Sequence, residues 1–193
     1  MEKFSKMKDT PIIPEDEELF DGDYLKVIKY KKEEILKTKD TVAIIPYFRD
    51  EASFLMRSEY LPSYQYKNSN IPELKNITNY LTVITGTIEE NETPEQTIRR
   101  ELYEEGGIVL NNLYQFDIEG PFFKCKHGTS QIYACLLELP VNTYKQVKPP
   151  TDGSRNEKLS KNIRISIADV NQIVNNDLIT KYLITLLKKR IES

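Results

Sequence analysis

Tryptophan is absent from this chain, and histidine occurs once, as His127. The two cysteines, Cys125 and Cys135, form no metal-site pattern. No apolar run reaches the ~20 residues a membrane-spanning helix needs. The opening MEKFSKMKDT carries no hydrophobic signal core. Basic residues are not in excess: 27 Lys and Arg stand against 30 Asp and Glu, a formal net charge of −3. That balance argues against a broad basic surface for nucleic acid, while a local basic patch stays open. No internal repeat is visible. What is present is a chain of 193 residues, 39% hydrophobic and 30% charged. Such a chain can bury a sizeable core in one domain. A cytoplasmic protein without a membrane partner is expected. Cys125 and Cys135 fall on neighbouring expected strands, where pairing is geometrically open; buried free thiols in a reducing cytoplasm are the expectation.

The stretch from Gly86 to Ile108 reads GTIEENETPEQTIRRELYEEGGI. Thr93 suits a helix N-cap and Pro94 the first helical position. Gln96, three residues after Thr93, completes a capping box. The helix is predicted over residues 94–105, with Gly106 and Gly107 stopping it. Glu101, Glu104 and Glu105 are spaced i, i+3 and i+4, which puts three carboxylates on one face. Ile98 and Leu102 anchor the opposite face. Three like charges near a helix C-terminus repel one another and oppose the macrodipole. A cation relieves both penalties, and oxygen ligands of this kind suit Mg²⁺, with Mn²⁺ as an alternative. An arbitrary E-x-x-E-E is more often a solvated acidic face; the flanking residues reverse that reading here.

The rest of the chain reads as strands, a helix, strands, then helices. Residues 1–20 read as a loose arm, 21–40 as an N-terminal hairpin, and 41–193 as the main domain. Strands are predicted at 24–30, 34–38, 42–48, 53–59, 80–85, 113–118, 122–126, 131–139 and 162–166. Gly128 is placed in a hairpin turn. Residues 61–78 and 142–161 read as long polar loops. A short helix from about Ala168 and a last helix over 178–191 follow. This order implies an α/β sandwich, with a mixed sheet between the first helix and the C-terminal helices.

The fixed residues Gly86, Glu92, Arg100, Glu101, Leu102, Glu104, Glu105, Gly107 and Ile108 fill every position of G-x(5)-E-x(7)-R-E-U-x-E-E-x-G-U, U being aliphatic. A chance match is about one in a million. The stretch resembles the Nudix box, and the chain resembles Nudix hydrolases, which cleave a nucleoside diphosphate linked to another group. The resemblance implies metal binding by Glu101, Glu104, Glu105 and the Gly86 carbonyl, with Glu92 and Arg100 bracing loop and helix within the same catalytic set. Beyond the box, LFDGDYLKVIKY, VAIIPYF, MRSEYLPS and ISIADVNQIVNNDLITKYLITLL resemble segments of the ADP-ribose pyrophosphatase branch. MRSEYLPS resembles its R-Q-Y-R-P segment with Arg57 and Tyr60 kept, and Leu61 standing where a second Arg would be. The E-L-P-A-G that precedes the branch's box is here Thr82-Val83-Ile84-Thr85-Gly86, without its glutamate. These departures bear on substrate rather than on diphosphate hydrolysis.

Several residues carry two readings. Glu157, in a polar Gly-containing loop, matches the branch's late loop that supplies a general base; a solvated loop charge is the bland alternative. Arg57 can meet a phosphate through its guanidinium fork. His127 can contact phosphate or stand as plain surface. Tyr47, Tyr60, Tyr64 and Tyr66 can stack on a base, though core packing accounts for most tyrosines. The expected substrate is a small nucleotide, ADP-ribose or a related nucleotide sugar. Dinucleoside polyphosphates, nucleoside triphosphates, capped RNA ends and a non-catalytic Nudix nucleotide-binding module stand as alternatives. The branch also implies a homodimer built through the N-terminal hairpin.

Overall fold

The computed structural model describes residues 17–22, 25–30, 33–59, 80–111, 114–150, 160–173 and 177–192. Two compact units are distinguished, one of residues 1–39 with 123–130 and one of residues 40–122 with 131–193.

The smaller unit holds a three-stranded antiparallel sheet in the order β1 (Glu17–Asp21), β2 (Lys26–Tyr30), β3 (Glu33–Lys37). The expected hairpin is β2 and β3, paired from Lys26↔Lys37 to Tyr30↔Glu33. Glu17–Asp21 is a third strand rather than part of a loose arm, and its register with β2 shifts between Glu18 and Phe20. The rest of the arm, residues 1–16, lies outside the described residues. A turn carries Gly128, whose amide donates to the Cys125 carbonyl at 3.3 Å. Leu36 donates to the His127 carbonyl at 2.8 Å, which ties the turn to β3.

The larger unit is built on the apolar run 42–48. Strand β4 (Thr41–Phe48) is buried on both faces, as expected of a β-branched central strand. One edge pairs in parallel with β10 (Gln131–Glu138). The other edge pairs antiparallel with two partners in succession. Its first half meets β7 (Ile84–Thr87) through Ile44, and its end meets β5 (Ser53–Glu59) from Tyr47. Pro46, which has no N–H to give, falls between those two ladders. Strand β6 (Tyr80–Thr82) pairs with the end of β5, and β12 (Lys161–Ser166) pairs along its other edge. Strand β9 (Ile118–Phe123) completes the order β12-β5-β4-β10-β9.

Period-2 alternation sorts the side chains of this mixed sheet into two cores. Val42, Ile44, Phe48, Leu55, Ile84, Cys135 and Leu137 pack with Ile98 and Leu102 of helix α1 (Pro94–Glu104). Ala43, Ile45, Phe54, Met56 and Ala134 pack with Leu183, Ile184 and Leu187 of helix α2 (Leu178–Glu192). The sheet therefore lies between helices, which is the predicted sandwich. The short helix expected from about Ala168 is a 3-10 helix, Ile167–Gln172. A small ladder pairs β8 (Ile108–Leu110) with β11 (Tyr144–Gln146), so the stretch read as a continuous polar loop contains a strand. Both cysteines are free. Cys135 is buried as expected, whereas Cys125 is exposed, in the turn of the other unit. Among the described residues, no helix is long and apolar enough to cross a membrane.

Candidate active site

Helix α1 starts as its sequence demands. The Gln96 amide donates to Thr93 Oγ1 at 3.3 Å, and the Thr93 amide donates to Gln96 Oε1 at 2.7 Å, closing the capping box. The helix ends at Glu104, with Glu105 as its C-cap. Ile98 and Leu102 are wholly buried against the sheet, each contributing about 2–3 kcal/mol of burial. With that face fixed, Glu101, Glu104 and Glu105 turn to the side bounded by β7 and β5. Glu101 is buried, with its carboxylate laid on Gly86. A Cβ on Gly86 would stand 2.1 Å from Glu101 Cδ, so only glycine admits this approach.

Arg100 is the hub of the site. Its Nε and Nη2 donate to Glu92 Oε1 and Oε2, both at 2.9 Å, a bidentate fork. Nη2 also donates to the Thr87 carbonyl at 2.8 Å. Nη1 donates to Glu101 Oε1 at 2.6 Å and to Glu104 Oε2 at 3.1 Å. Glu92 accepts further bonds from the Thr97 hydroxyl at 2.9 Å and the Glu89 amide at 3.2 Å. The loop after β7 is thereby tied to the helix it feeds. The Arg100 bond, aided by those two donors, holds the Glu92 carboxyl down to about 2, and the carboxylates around Arg100 raise the guanidinium further above its already high value.

A carboxyl depressed in the folded state stabilises the fold above its unfolded value near 4.3, and that stabilisation is lost as pH falls toward 2. Glu92→Gln is therefore expected to lower the midpoint of urea unfolding at pH 7. The gap from wild type should close as the pH is lowered through 4 to about 2. A gap that is constant across that range would reject the Arg100–Glu92 pair as its source.

The far end of the helix is held from outside the box. Arg57 Nη1 and Asn162 Nδ2 both donate to the Glu105 carbonyl, at 3.0 and 2.7 Å. These two side chains stand opposite each other in the β5–β12 register. Arg57 Nε has a single hydrogen, and it goes to Glu59 Oε1 at 2.7 Å. Glu105 Oε2 lies 3.3 Å from the same nitrogen, yet it is buried with no hydrogen-bond partner. Burial, opposed by Arg57, pushes the Glu105 carboxyl up to about 8. Burial also raises the Glu101 carboxyl, and Arg100 opposes that shift.

The structure brings together Gly86, Glu92, Arg100, Glu101, Glu104, Glu105 and Arg57. Tyr60, Tyr64, Tyr66 and Glu157 lie outside the described residues. His127 is exposed in the smaller unit, and Tyr47 is buried in the core that faces α2. Asn162 and Glu59 were not singled out by sequence. The Arg57–Asn162 pairing spans 105 positions of chain and leaves no local signal.

Among the described residues, no three His, Cys, Asp or Glu side chains converge at metal-ligating geometry. Arg100 Nη1 lies between Glu101 and Glu104, the place where their charge calls for a cation. The donor set nevertheless fits a hard divalent ion. It offers three carboxylates on one helix end, and the buried, unbonded Glu105 Oε2 is a ligand atom without a partner.

A family model described as NUDIX domain matches residues 37–173. Among solved structures, a crystal structure of an ADP compounds hydrolase is similar to this chain. Its TM-score is 0.63 at 14% identity, over 97% of this chain and 97% of that one. At that identity the likeness is one of fold. Among curated proteins, no sequence matches the chain.

Proposed function

The chain belongs to the Nudix family of pyrophosphohydrolases, and from that premise we propose that it cleaves the diphosphate of ADP-ribose or a related nucleotide sugar, in the cytoplasm. The observation that carries the reading is the carboxylate end of α1, where Glu105 Oε2 is buried and unbonded beside two further glutamates. Glu101, Glu104 and Glu105, with the Gly86 carbonyl, would hold the cation, Mg²⁺ or in its place Mn²⁺. Such an ion supplies charge neutralisation on phosphate and a water acidic enough to attack. Water then adds across the P–O–P link and leaves two phosphate monoesters.

The protein's own groups do the positioning. The Arg100–Glu92 fork fixes the loop against the helix, so the carboxylates keep their places when the ion and the substrate arrive. Arg57 has no hydrogen-bond partner on Nη2 among the described residues, and that nitrogen is the donor it can offer to a phosphate oxygen. Tyr60 is a further proposed substrate contact, and Glu157 the proposed general base. A product assay across ADP-ribose, NADH, diadenosine polyphosphates, nucleotide sugars and nucleoside triphosphates, with Mg²⁺ and with Mn²⁺, tests the reading. Release of AMP from ADP-ribose is the expected result. Turnover confined to triphosphates or polyphosphates would overturn the substrate assignment, and no turnover of any of them would leave a binding module.

The same reading includes a homodimer built through the N-terminal strands. That sheet has three strands of five residues each, and it exposes Leu19, Phe20 and Leu25. So small a sheet needs a surface to cover its apolar side chains. Static light scattering at micromolar concentration should give twice the chain mass. A monomer there would reject the assembly.

A further inference from the structure

We propose that Arg57 and Asn162 are positioning residues that set the metal affinity of the site, by holding Glu105 at the helix end with one carboxylate oxygen left open. The inference rests on the carboxylate end of α1 being a divalent-cation site, as argued above.

The two residues come from different strands and reach the same atom. Side chains at odd positions of β5 face α1, since Leu55 packs in that core, and Arg57 and Glu59 follow with the same parity. Asn162 is the register partner of Arg57, and its amide oxygen accepts from Arg57 Nη1 at 3.3 Å. The pair therefore forms one unit before it touches the helix. It then donates twice to the Glu105 carbonyl, a group that the helix itself cannot satisfy. That fixes the backbone of Glu105.

The side chain is treated differently. A guanidinium beside a carboxylate ordinarily forms a direct, strong hydrogen bond, which would take Glu105 away from any cation. Here Glu59 accepts the only hydrogen of Arg57 Nε, and Nη1 is spent on the carbonyl and on Asn162. Glu105 Oε2 stays close to positive charge, buried, and unbonded. Partners that orient a metal ligand in this way typically contribute 10- to 100-fold in metal affinity.

The test is Mn²⁺ titration of the full chain, followed by electron paramagnetic resonance of the free ion. Arg57→Met and Asn162→Leu are compared with wild type, alongside thermal unfolding without metal. Asn162→Leu should weaken Mn²⁺ binding about tenfold. The Mg²⁺ concentration for half-maximal activity should rise by a similar factor, with kcat at saturating Mg²⁺ within about threefold of wild type. Such a split marks positioning of a ligand rather than loss of a reacting group. Arg57→Met should weaken Mn²⁺ at least as much. If that variant does not fold, Asn162→Leu decides alone. Mn²⁺ affinity within twofold of wild type in folded Asn162→Leu would overturn the proposal. Wild-type Mn²⁺ binding in the same titration reports separately on whether the site takes a divalent ion at all.

Discussion

Glu105→Gln and Glu104→Gln are each expected to lower turnover at saturating Mg²⁺ by about a thousandfold, equivalent to about 4 kcal/mol of transition-state stabilisation. The amide keeps the shape of the carboxylate and loses the charge that a hard cation requires. For Glu105 the local reason is the buried Oε2 without a hydrogen-bond partner. For Glu104 it is exposure at the same helix end, with its carboxylate shared with Glu101 through Arg100 Nη1. Folding should not suffer in either case. Burial disfavours the charged form of Glu105, and removing either charge relieves repulsion along one helical face. The measurement is therefore paired: kcat with Mg²⁺, and thermal unfolding without it. Turnover within tenfold of wild type in both variants would sink the assignment of these carboxylates. A large loss of stability would instead point to a structural role.

The box was legible because its physics is local. The capping box, the proline at the helix start, the i, i+3, i+4 carboxylates and the apolar pair Ile98 and Leu102 all lie within one short segment. Each was found where the pattern puts it. The bracing of Glu92 by Arg100 is also short-range and follows from the motif. Arg57 was singled out for its chemistry, but its engagement with Asn162, Glu59 and the Glu105 carbonyl depends on which strands pair. Parity along β5 and register across β12 decide it, and neither is written in any window of sequence.

The same distinction explains the fold. The run 42–48 declares a buried strand by composition alone. The order in which they pair, with β4 meeting β7 and then β5 on one edge, is set by packing against two helices at once. Short polar strands escaped. Tyr144–Gln146 carries no apolar periodicity, and its pairing with β8 across the end of α1 is a tertiary choice. Glu17–Asp21 begins in an acidic run that reads as solvated, yet it pairs with β2, where Lys26 forms ion pairs with Glu18 and Asp21.

Glu157→Gln tests the remaining chemical role, the base that takes a proton from the attacking water. The expected loss in kcat is about a hundredfold to ten-thousandfold, the range of a positioned general base. Mn²⁺ affinity should stay close to wild type, because the carboxylates proposed to hold the ion lie at the end of α1. Glu157 precedes Asn162 by five residues, and Asn162 is bonded to the Glu105 carbonyl at 2.7 Å. A loop closing over substrate can supply such a group without holding it there beforehand. A base acts in the transition state, so kcat should fall more than KM changes. A loss below threefold would remove Glu157 from the reaction and leave the proton to a carboxylate already at the site, Glu104. That residue is the most exposed of the three on α1 and the one with the freest access to water.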